Sequence, residues 1–494
     1  DSSKKNKVRI FDIPFVDKWN YQIATLIMLV YRDNFGFMNN KDMDNLEEIR
    51  KIRIQKLENF KKMGMNPYTA IACFTHTNAE ALDNFKKLSG VPDKNGVVQK
   101  SEEITLVGRV RSLRGHGGST FCHIEDGSTT LTASGKIQLY LKKDLIGDAN
   151  YDLFINNIDL GDFIEVKGKL FLTQKGEKTL QVFSWKILTK AILPLPSEWY
   201  GLEDVEERSR KRYLDLIMNK EVRDKFLKRS KIIKEIRKFL EENGFLEVET
   251  PMLQTMAGGA KAKPFKTHLN ALDMDLYLRI APELYLKRLL VGGFDKVYEL
   301  NRNVRNEGMD REHNPEFTML EFYAAYWNYE IMMDFTEKLL NSLNNKLFQR
   351  PFKRIEYEKI VKNGDEKGAF GKIKESTFVI NHPVEISPLA KKLNEKQAAR
   401  FQLIVNGIEL ANGFSELNDP ADQAERFKAQ EIERKSGNEE AHQYDKDFVE
   451  ALEYGMPPAS GIGIGIDRLT VLLTDSKTLR EIILFPTMKP KENE

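Results

Sequence analysis

Residues 296–308 contain the first pattern that could do chemistry, a run of alternating polar side chains that leads into an arginine. Alternation places on one face of a predicted strand Glu299, Asn301, Asn303, Arg305 and Glu307. The next predicted strand, residues 317–326, places on one face Phe317, Met319, Glu321 and Tyr323. A guanidinium binds phosphate or carboxylate through paired, charge-assisted hydrogen bonds, and an aromatic ring can cover a purine. We therefore predict a hairpin that faces a nucleotide, with a solvated sheet face carrying ion pairs as the alternative.

A glycine-rich run at residues 460–469 predicts a second part of the site. Gly461, Gly463 and Gly465 leave one strand face without side chains, and three isoleucines fill the other face. A bare face lets a ligand lie close to the backbone, whereas a tightly packed glycine strand is the alternative. The spacing GxGxG differs from the dinucleotide fingerprint GxGxxG, and no GK[ST] follows as a phosphate-binding loop requires.

Residues 409–416 supply a third group of polar and aromatic side chains. Asn412, Phe414 and Glu416 share strand parity, and the pair Asn412-Gly413 is compatible with a β-bulge. A turn between two strands is the alternative interpretation of this segment.

The elements that must position these groups indicate an α+β fold. Helical spacing over residues 225–242 predicts a helix that buries Phe226, Ile233, Ile236 and Leu240 and ends just before a glycine. Later strands with one polar face indicate an antiparallel sheet that is open to a ligand.

A different pattern, of short strands separated by turn residues, occupies residues 104–191. Five strands predict a small barrel, with an OB-fold as the leading candidate. A basic amphipathic helix over residues 44–62 precedes the barrel, and Pro194 and Pro196 mark a linker after it. Residues 1–42 do not fit the pattern that follows, so we expect them to be an extension that is dispensable for chemistry, with Met43 as the natural start.

Composition narrows the class of protein. The net charge of the 494 residues is +2, so any contact with nucleic acid must come from local basic patches. The two cysteines, Cys73 and Cys122, can form neither a disulfide framework nor a CxxC zinc site. The apolar stretch at residues 23–31 is much shorter than the ~20 residues of a membrane span. We therefore expect a cytoplasmic protein.

Taken in order, the segments resemble the three signature motifs of class II aminoacyl-tRNA synthetases. FLEVETP at residues 245–251 resembles motif 1, the Arg305 hairpin resembles motif 2, and the glycine strand with Arg468 resembles motif 3. Strings similar to the bacterial lysyl-tRNA synthetase family are YLRIAPELY at 277–285, RNEG at 305–308, HNPEFT at 313–318 and NGFSELND at 412–419. The resemblance covers about residues 43–490. It implies a class II antiparallel-sheet catalytic domain at residues 203–494, an OB-fold anticodon-binding domain at 101–195, and a helical segment with a linker at 43–100.

This resemblance implies a lysine–tRNA ligase and assigns a role to individual residues. Arg305 and Arg468 are the implied catalytic residues, with Arg305 on the α-phosphate and substrate carboxylate and Arg468 on adenine. The remaining implied ATP-binding residues are Glu307, His313, Asn314, Phe317, which stacks on adenine, and Glu409, which also binds Mg²⁺. The implied lysine-binding residues are Glu283 at the α-ammonium and, around the ε-ammonium, Glu321, Tyr323, Asn412, Phe414 and Glu416. Two carboxylates around one cation favour lysine and repel aspartate.

The implied reaction has two steps. Lysine and ATP form lysyl-adenylate and pyrophosphate, and lysine then passes to the 3′ end of lysine tRNA. For the barrel, the family implies anticodon binding by Arg114, Phe121, Gln138 and Glu177, with Phe121 as the stacking ring. Motif 1 implies a homodimer. The basic helix is equally compatible with a tRNA phosphate contact and with a solvated face.

Two departures from the family leave other functions open. Gln402 stands where the family has a glutamate that joins Glu409 at magnesium, and most of a helical insertion between motifs 2 and 3 is missing around residues 364–375. These departures favour a weakened paralogue that binds tRNA or senses lysine, whereas the intact site residues oppose it, namely Arg305, Glu321, Glu409, Glu416 and Arg468. A ligase that lysylates proteins is disfavoured by the barrel, and an aspartyl- or asparaginyl-specific enzyme is disfavoured by the acidic pocket.

Overall fold

The computed structural model describes residues 40–90, 101–129, 133–196, 202, 204–438 and 440–491, so the proposed extension lies outside the described residues up to residue 39. The chain divides into two compact units, of which the first ends at Leu195 and the second begins at Pro196. Among the described residues, none of the helices combines the length and the apolar character needed to cross a membrane.

A closed five-stranded barrel in the order β1-β2-β3-β5-β4 forms the centre of the first unit, as predicted. Its strands are β1 (Glu103–His116), β2 (Ser119–Thr129), β3 (Ser134–Lys142), β4 (Phe163–Leu172) and β5 (Lys178–Thr189). The helices are α1 (Asn40–Lys62), α2 (Asn78–Asp83), α3 (Phe85–Ser89), α4 (Lys143–Ile146) and α5 (Asp148–Asn157). Alternate residues of the strands fill the barrel with branched aliphatic side chains, which is why the strands alternate between buried and partly exposed positions.

The helices of the first unit differ from expectation in two places. Helix α1 begins at Asn40, before Met43, although it ends at Lys62 as predicted. Helices α4 and α5 between β3 and β4 were not predicted, because the segment is polar and asparagine-rich and its large buried side chains, Ile146, Tyr151 and Phe154, are few.

An eight-stranded sheet in the order β12-β13-β14-β15-β16-β11-β10-β6 forms the second unit, together with a separate three-stranded sheet in the order β7-β9-β8. The strands are β6 (Leu246–Glu247), β7 (Leu253–Gln254), β8 (Lys266–Leu269), β9 (Met274–Leu278), β10 (Lys296–Val304), β11 (Glu316–Ala325), β12 (Lys353–Glu356), β13 (Thr377–Pro383), β14 (Gln397–Val405), β15 (Ile408–Ser415) and β16 (Ala459–Gly465). The pairs β12–β13 and β10–β6 are parallel, and the five pairs between β13 and β10 are antiparallel. The predicted antiparallel sheet is therefore confirmed, with one parallel strand added at each edge.

Helices of the second unit pack on both faces of this sheet. They are α6 (Val205–Arg210), α7 (Arg212–Met218), α8 (Lys220–Glu242), α9 (Glu283–Val291), α10 (Tyr329–Ser342), α11 (Tyr357–Ile360), α12 (Glu366–Phe370), α13 (Pro420–Lys435), α14 (Lys446–Glu453) and α15 (Ile466–Thr474). Short 3₁₀ helices also occur at Lys346–Phe348, Val384–Ile386 and Leu479–Glu481.

The main hydrophobic core lies between one face of the sheet and helices α8, α10 and α15. Ile462 and Ile464 of the glycine strand pack there with Leu320 and Phe322 of β11. Helix α8 buries Ile232, Ile236 and Leu240 on a single i, i+4 row, so the predicted burial of Phe226 and Ile233 is wrong, and both are half-buried. Because the apolar residues of the strands point toward this core, their polar and glycine positions are left on the opposite face.

Candidate active site

A cavity of about 450 Å³ lies on the polar face of the eight-stranded sheet. Strands β11, β14, β15 and β16 form its floor, and loops around Arg305 and Ile386 form its sides. The predicted residues that line it are Glu283, Arg305, Glu307, His313, Asn314, Phe317, Glu321, Tyr323, Glu409, Asn412, Phe414 and Arg468. The three segments that the sequence analysis singled out therefore meet at one cavity, and its volume is in the range of ordinary ligand sites.

At one end of the cavity, Arg305 lies against Phe317. The guanidinium carbon is 5.0 Å from the centre of the Phe317 ring, a cation–π contact, and Arg305 N donates to Pro315 O (2.8 Å). Arg305 Nε is buried and has no hydrogen-bond partner among the described residues. Burial lowers the pKa of Arg305, and Glu307 and Glu321 oppose that effect. A guanidinium stays charged under any ordinary condition, so this end of the cavity presents a desolvated cation with a free donor.

Arg468, the third residue of helix α15, joins two other predicted ATP residues. Its Nη1 donates to the backbone oxygen of Glu409 (2.8 Å), and its Nη2 lies 3.3 Å from Nε2 of His313. Asp310 holds the other side of the His313 ring at 2.9 Å. The loop that carries His313 is thus held over the same end of the cavity as Arg468.

An ion pair behind Arg468 connects three elements of the second unit. Asp467 Oδ1 lies 2.6 Å from Arg229 Nη1 of helix α8, and Asp467 Oδ2 accepts the backbone N–H of Thr318 of β11 (2.9 Å). Arg229 Nη2 also donates to the Thr318 hydroxyl (2.9 Å). These bonds fix the first turn of α15, and with it Arg468, relative to β11 and α8.

The opposite end of the cavity is acidic and buried. Tyr323 Oη donates to Glu321 Oε2 (3.0 Å), and both side chains are buried, as is Glu283 at the start of helix α9. Burial and the charge of Glu283 raise the pKa of Glu321 to about 8, and the same two causes raise the pKa of Tyr323 well above 10. A cation that binds here would be strongly favoured, because it would relieve the repulsion between desolvated carboxyl groups.

Glu416 lies behind Gly461 and is not among the residues that line the cavity. It follows the last residue of β15, is 1% exposed, and places Oε2 2.6 Å from the ammonium of Lys287. Lys287, which the sequence analysis missed, also lies 2.6 Å from Glu283 Oε1. The spacing of Glu283 and Lys287, four residues apart on one helix, was the signal that could have revealed it.

The absence of a side chain at Gly461 leaves room for Tyr323, at the edge of the cavity, and for Glu416 behind it. A Cβ atom at this position would lie 2.2 Å from Cε1 of Tyr323 and 2.6 Å from Oε1 of Glu416. The same atom at Gly463 would have no neighbour closer than 3.6 Å. The glycine face is therefore not equally bare: at Gly461 the protein's own side chains occupy the space, and at Gly463 the space is open.

The predicted β-bulge lies in β15 but at a different residue. Leu403 of β14 pairs with Ala411 and Ile404 pairs with Glu409, so Leu410 is the extra residue instead of Asn412 or Gly413. The alternative of a turn is also excluded, since β15 continues through Asn412. The extra residue puts Glu409 on the same side of the sheet as Asn412, and both reach the cavity.

Gln402, the departure noted in the sequence, lines the same cavity beside these residues. Its Oε1 lies 2.7 Å from Nε2 of His382, and burial together with Arg400 lowers the pKa of His382 to about 3. His382 therefore stays neutral. The amide oxygen that could approach a cation is already held by the imidazole.

The barrel brings its four predicted residues to one side. Arg114 pairs with Phe121 across β1 and β2, and Gln138 Nε2 donates to Glu177 Oε2 (2.7 Å). His123, which was not predicted, lies between them, with Nε2 3.0 Å from Glu177 Oε1. Phe121 continues into a row of rings, 5.0 Å from Tyr140, which is in turn 6.1 Å from Phe171. An aromatic row beside polar groups is the arrangement on which unpaired bases stack.

Comparison with known proteins identifies the relatives of both units. Residues 204–489 match the family model for class II tRNA synthetases (D, K and N), and residues 104–188 match that for OB-fold nucleic acid binding domains. Lysine–tRNA ligase of Carboxydothermus hydrogenoformans is 48% identical over 90% of this chain and 99% of its own length. The corresponding ligase of Pelotomaculum thermopropionicum is 46% identical (91% and 96%), and that of Enterococcus faecalis is 44% identical (90% and 98%). Identity at this level over nearly the whole of each relative shows that the chain belongs to the lysine–tRNA ligase family of class II aminoacyl-tRNA synthetases.

Proposed function

We propose that the cavity of the second unit activates lysine with ATP and that the barrel of the first unit binds the anticodon of lysine tRNA. One observation carries this proposal: a single cavity has a desolvated arginine with a ring at one end and a cluster of buried carboxyl groups at the other. A molecule that is anionic at one end and cationic at the other fits this arrangement. Lysyl-adenylate has that charge distribution.

The nucleotide end receives ATP. Arg305 binds the α-phosphate and the carboxylate of lysine, because its free Nε and its charge suit two neighbouring anions. Phe317 stacks on adenine, and Arg468 covers the ring from the other side. Glu307, His313 and Asn314 complete the contacts from the loop.

The acidic end receives lysine. Glu283 binds the α-ammonium, and Glu321 with Tyr323 binds the ε-ammonium at the closed end of the cavity. Asn412 and Phe414 line the path of the side chain, and Glu416 acts from behind Gly461 through its charge. An aspartate side chain would meet like charges here, so the site selects against it.

Activation needs no general base. A lysine carboxylate oxygen attacks the α-phosphorus, the new P–O bond forms as the bond to pyrophosphate breaks, and pyrophosphate carries away the negative charge. The chain contributes by holding the two reactants in line and by neutralising charge with Arg305. The hydroxyl at the 3′ end of lysine tRNA then attacks the lysyl carbonyl and releases AMP.

Mg²⁺ fits the site only when the phosphates of the substrate supply some of its ligands. Among the described residues, no cluster of three or more His, Cys, Asp or Glu could hold a metal ion. Mg²⁺ is commonly held by one or two carboxylates together with substrate phosphates and water, and Glu409 provides one such carboxylate. When bound, the ion neutralises phosphate charge. Gln402 is a poor second ligand because its oxygen is held by His382.

Anticodon binding and dimerisation complete the proposal. Phe121 stacks on one base, and Arg114, Gln138 and Glu177 read its neighbour. The homodimer forms through the motif 1 region, and the exposed side chains of Leu246, Met252 and Leu253 in and after this segment support that assignment. A cytoplasmic location stays a prediction.

Pyrophosphate exchange tests the proposal directly. The purified chain should catalyse exchange between ATP and labelled pyrophosphate with lysine but not with aspartate, and it should then aminoacylate lysine tRNA. Lysine-independent or absent exchange would contradict the adenylation site and favour the weakened paralogue. Exchange without aminoacylation would retain the adenylation site and contradict the tRNA assignment.

A further inference from the structure

Lys287 is a buried cation next to the acidic end of the cavity. Its side chain is fully buried in helix α9, with the ammonium 2.6 Å from Glu283 Oε1 and 2.6 Å from Glu416 Oε2. The rings of Phe414 and Phe448 lie 5.2 and 5.9 Å from the same nitrogen. One ammonium thus connects two carboxylates from separate elements, and both were assigned to the lysine substrate.

Lys287 pairs with two carboxylates, one more than its single charge can balance. Burying a charge is costly unless a partner compensates it. The three carboxyl groups around this end, those of Glu283, Glu321 and Glu416, exceed the single ammonium of Lys287 by two charges. Within the part of the chain that the structure describes, neither oxygen of Glu416 makes a hydrogen bond of ordinary geometry, although Oε2 is within ion-pair distance of Lys287. The cluster is therefore incomplete without further positive charge.

We propose that Lys287 is a positioning residue of the lysine site, whose ammonium orients Glu283 and Glu416 and, once the three carboxyl groups ionise on substrate binding, leaves them a net charge of minus two for the two ammonium groups of the substrate. This inference rests on the proposed assignment of Glu283 and Glu321 to those ammonium groups. The substrate carboxylate is counted separately, because the proposed function pairs it with Arg305.

Arg400 is a second buried cation near this cluster and opposes the rise in the pKa of Glu283. Burial lowers the pKa of Arg400 itself, and Glu409 opposes that effect more than Glu283 does, so Glu409 is its main counter-charge. Its Nε donates to Asn412 Oδ1 (2.9 Å) and its Nη1 to Ile386 O (2.8 Å). His442 is kept neutral by burial, with its pKa lowered to about 4, and Tyr323 is kept protonated. Further charged groups that act on this cluster are Arg305 and Glu299, which face Glu321, and Lys261, which faces His442.

Lys287→Met tests the proposal, since it keeps the length of the side chain and removes the charge. Loss of the ammonium leaves three carboxyl groups that repel one another, so they take up protons that lysine must displace on binding. At neutral pH, we expect the Kd for lysine to rise about tenfold or more. We also expect lysine binding to release about one more proton than in the unmodified chain.

Isothermal titration in two buffers of different ionisation enthalpy measures both quantities. Arg288→Met is the matched control, because Arg288 is the next residue on the helix and pairs with Asp445, away from the acidic cluster. Its lysine affinity and proton release should equal those of the unmodified chain. ATP binding should be unchanged in both variants.

Lys287→Gln is the second variant, to be used if Lys287→Met does not fold. It is more conservative because an amide can still donate a hydrogen bond to one carboxylate. The same weaker binding and additional proton release are expected. Unchanged lysine affinity and proton release in either folded variant would overturn the role of Lys287. If the unmodified chain itself fails to bind lysine, the site assignment is wrong and not merely this inference.

Discussion

Gly461→Ala tests how tightly the lysine end of the cavity is packed. The added methyl group would lie 2.2 Å from Cε1 and 2.3 Å from Cδ1 of Tyr323, and 2.6 Å from Oε1 of Glu416. These atoms cannot move aside easily, because Tyr323 and Glu416 are buried and Tyr323 is hydrogen-bonded to Glu321. The variant must therefore move two side chains that the proposed function assigns to lysine binding.

The cost follows from overpacking a buried region. Forcing an extra methyl group into a packed core typically costs about 1–3 kcal/mol. If the strain is relieved by displacing Tyr323 and Glu416, the same energy is lost from lysine binding, a change of about five- to 150-fold. The Michaelis constant for lysine should rise accordingly. The Michaelis constant for ATP should stay within about twofold of its original value, a difference well below 1 kcal/mol. The reason is that Tyr323 and Glu416 lie at or behind the end of the cavity opposite to the proposed ATP site.

Gly463→Ala is the comparison for stability. Its methyl group would have no neighbour closer than 3.6 Å, so denaturant unfolding should show little change from the original chain. Lysine-dependent pyrophosphate exchange gives the Michaelis constants of Gly461→Ala. The reasoning is refuted if Gly461→Ala is as stable as Gly463→Ala and its Michaelis constant for lysine is unchanged.

Three further predictions concern pH, metal and tRNA. Lysine affinity should fall as the pH drops from 8 towards about 6, because burial raises the pKa of Glu321 and Glu416 to about 8 and protonated carboxyl groups pair poorly with an ammonium. The Michaelis constant for lysine should rise over this range, and a flat profile would contradict the carboxylate assignment. Gln402→Glu should lower the Mg²⁺ concentration that gives half-maximal exchange, because a second carboxylate joins Glu409; an unchanged magnesium titration would count against this. Phe121→Ala should weaken binding of lysine tRNA by about 1–3 kcal/mol and leave exchange intact, whereas Phe163→Ala, outside the aromatic row, should change neither.

Alternation alone was enough to predict one face of the motif 2 hairpin. Glu321 and Tyr323 occupy successive positions on the same side of β11, so a period of two places both beside the cavity. The barrel was predictable for a similar reason, since turn residues separate its strands. Both signals come from neighbouring residues in the sequence. Such a pattern predicts the structure well when one face of each strand is buried and the other is not.

The bulge at Leu410 and the role of Lys287 depend on contacts between distant segments. A Cβ at Gly413 would lie 2.6 Å from Cζ of Phe401 and 2.7 Å from the oxygen of Gly461, so close approach from both neighbouring strands explains that glycine without a bulge there. The spacing of four residues on one helix could have indicated the pair of Glu283 and Lys287. Glu416, in contrast, follows a strand much later in the chain. No periodicity in the sequence connects them.

The ion pair between Arg229 and Asp467 limits how the second unit could be shortened. Arg229 belongs to a helix that ends before the first strand of the sheet, and it precedes every residue that lines the cavity. A fragment that began after this helix would keep every residue that lines the cavity and yet lose the partner that holds the start of α15. The smallest piece of this chain with an ordered nucleotide end therefore has to begin at or before helix α8.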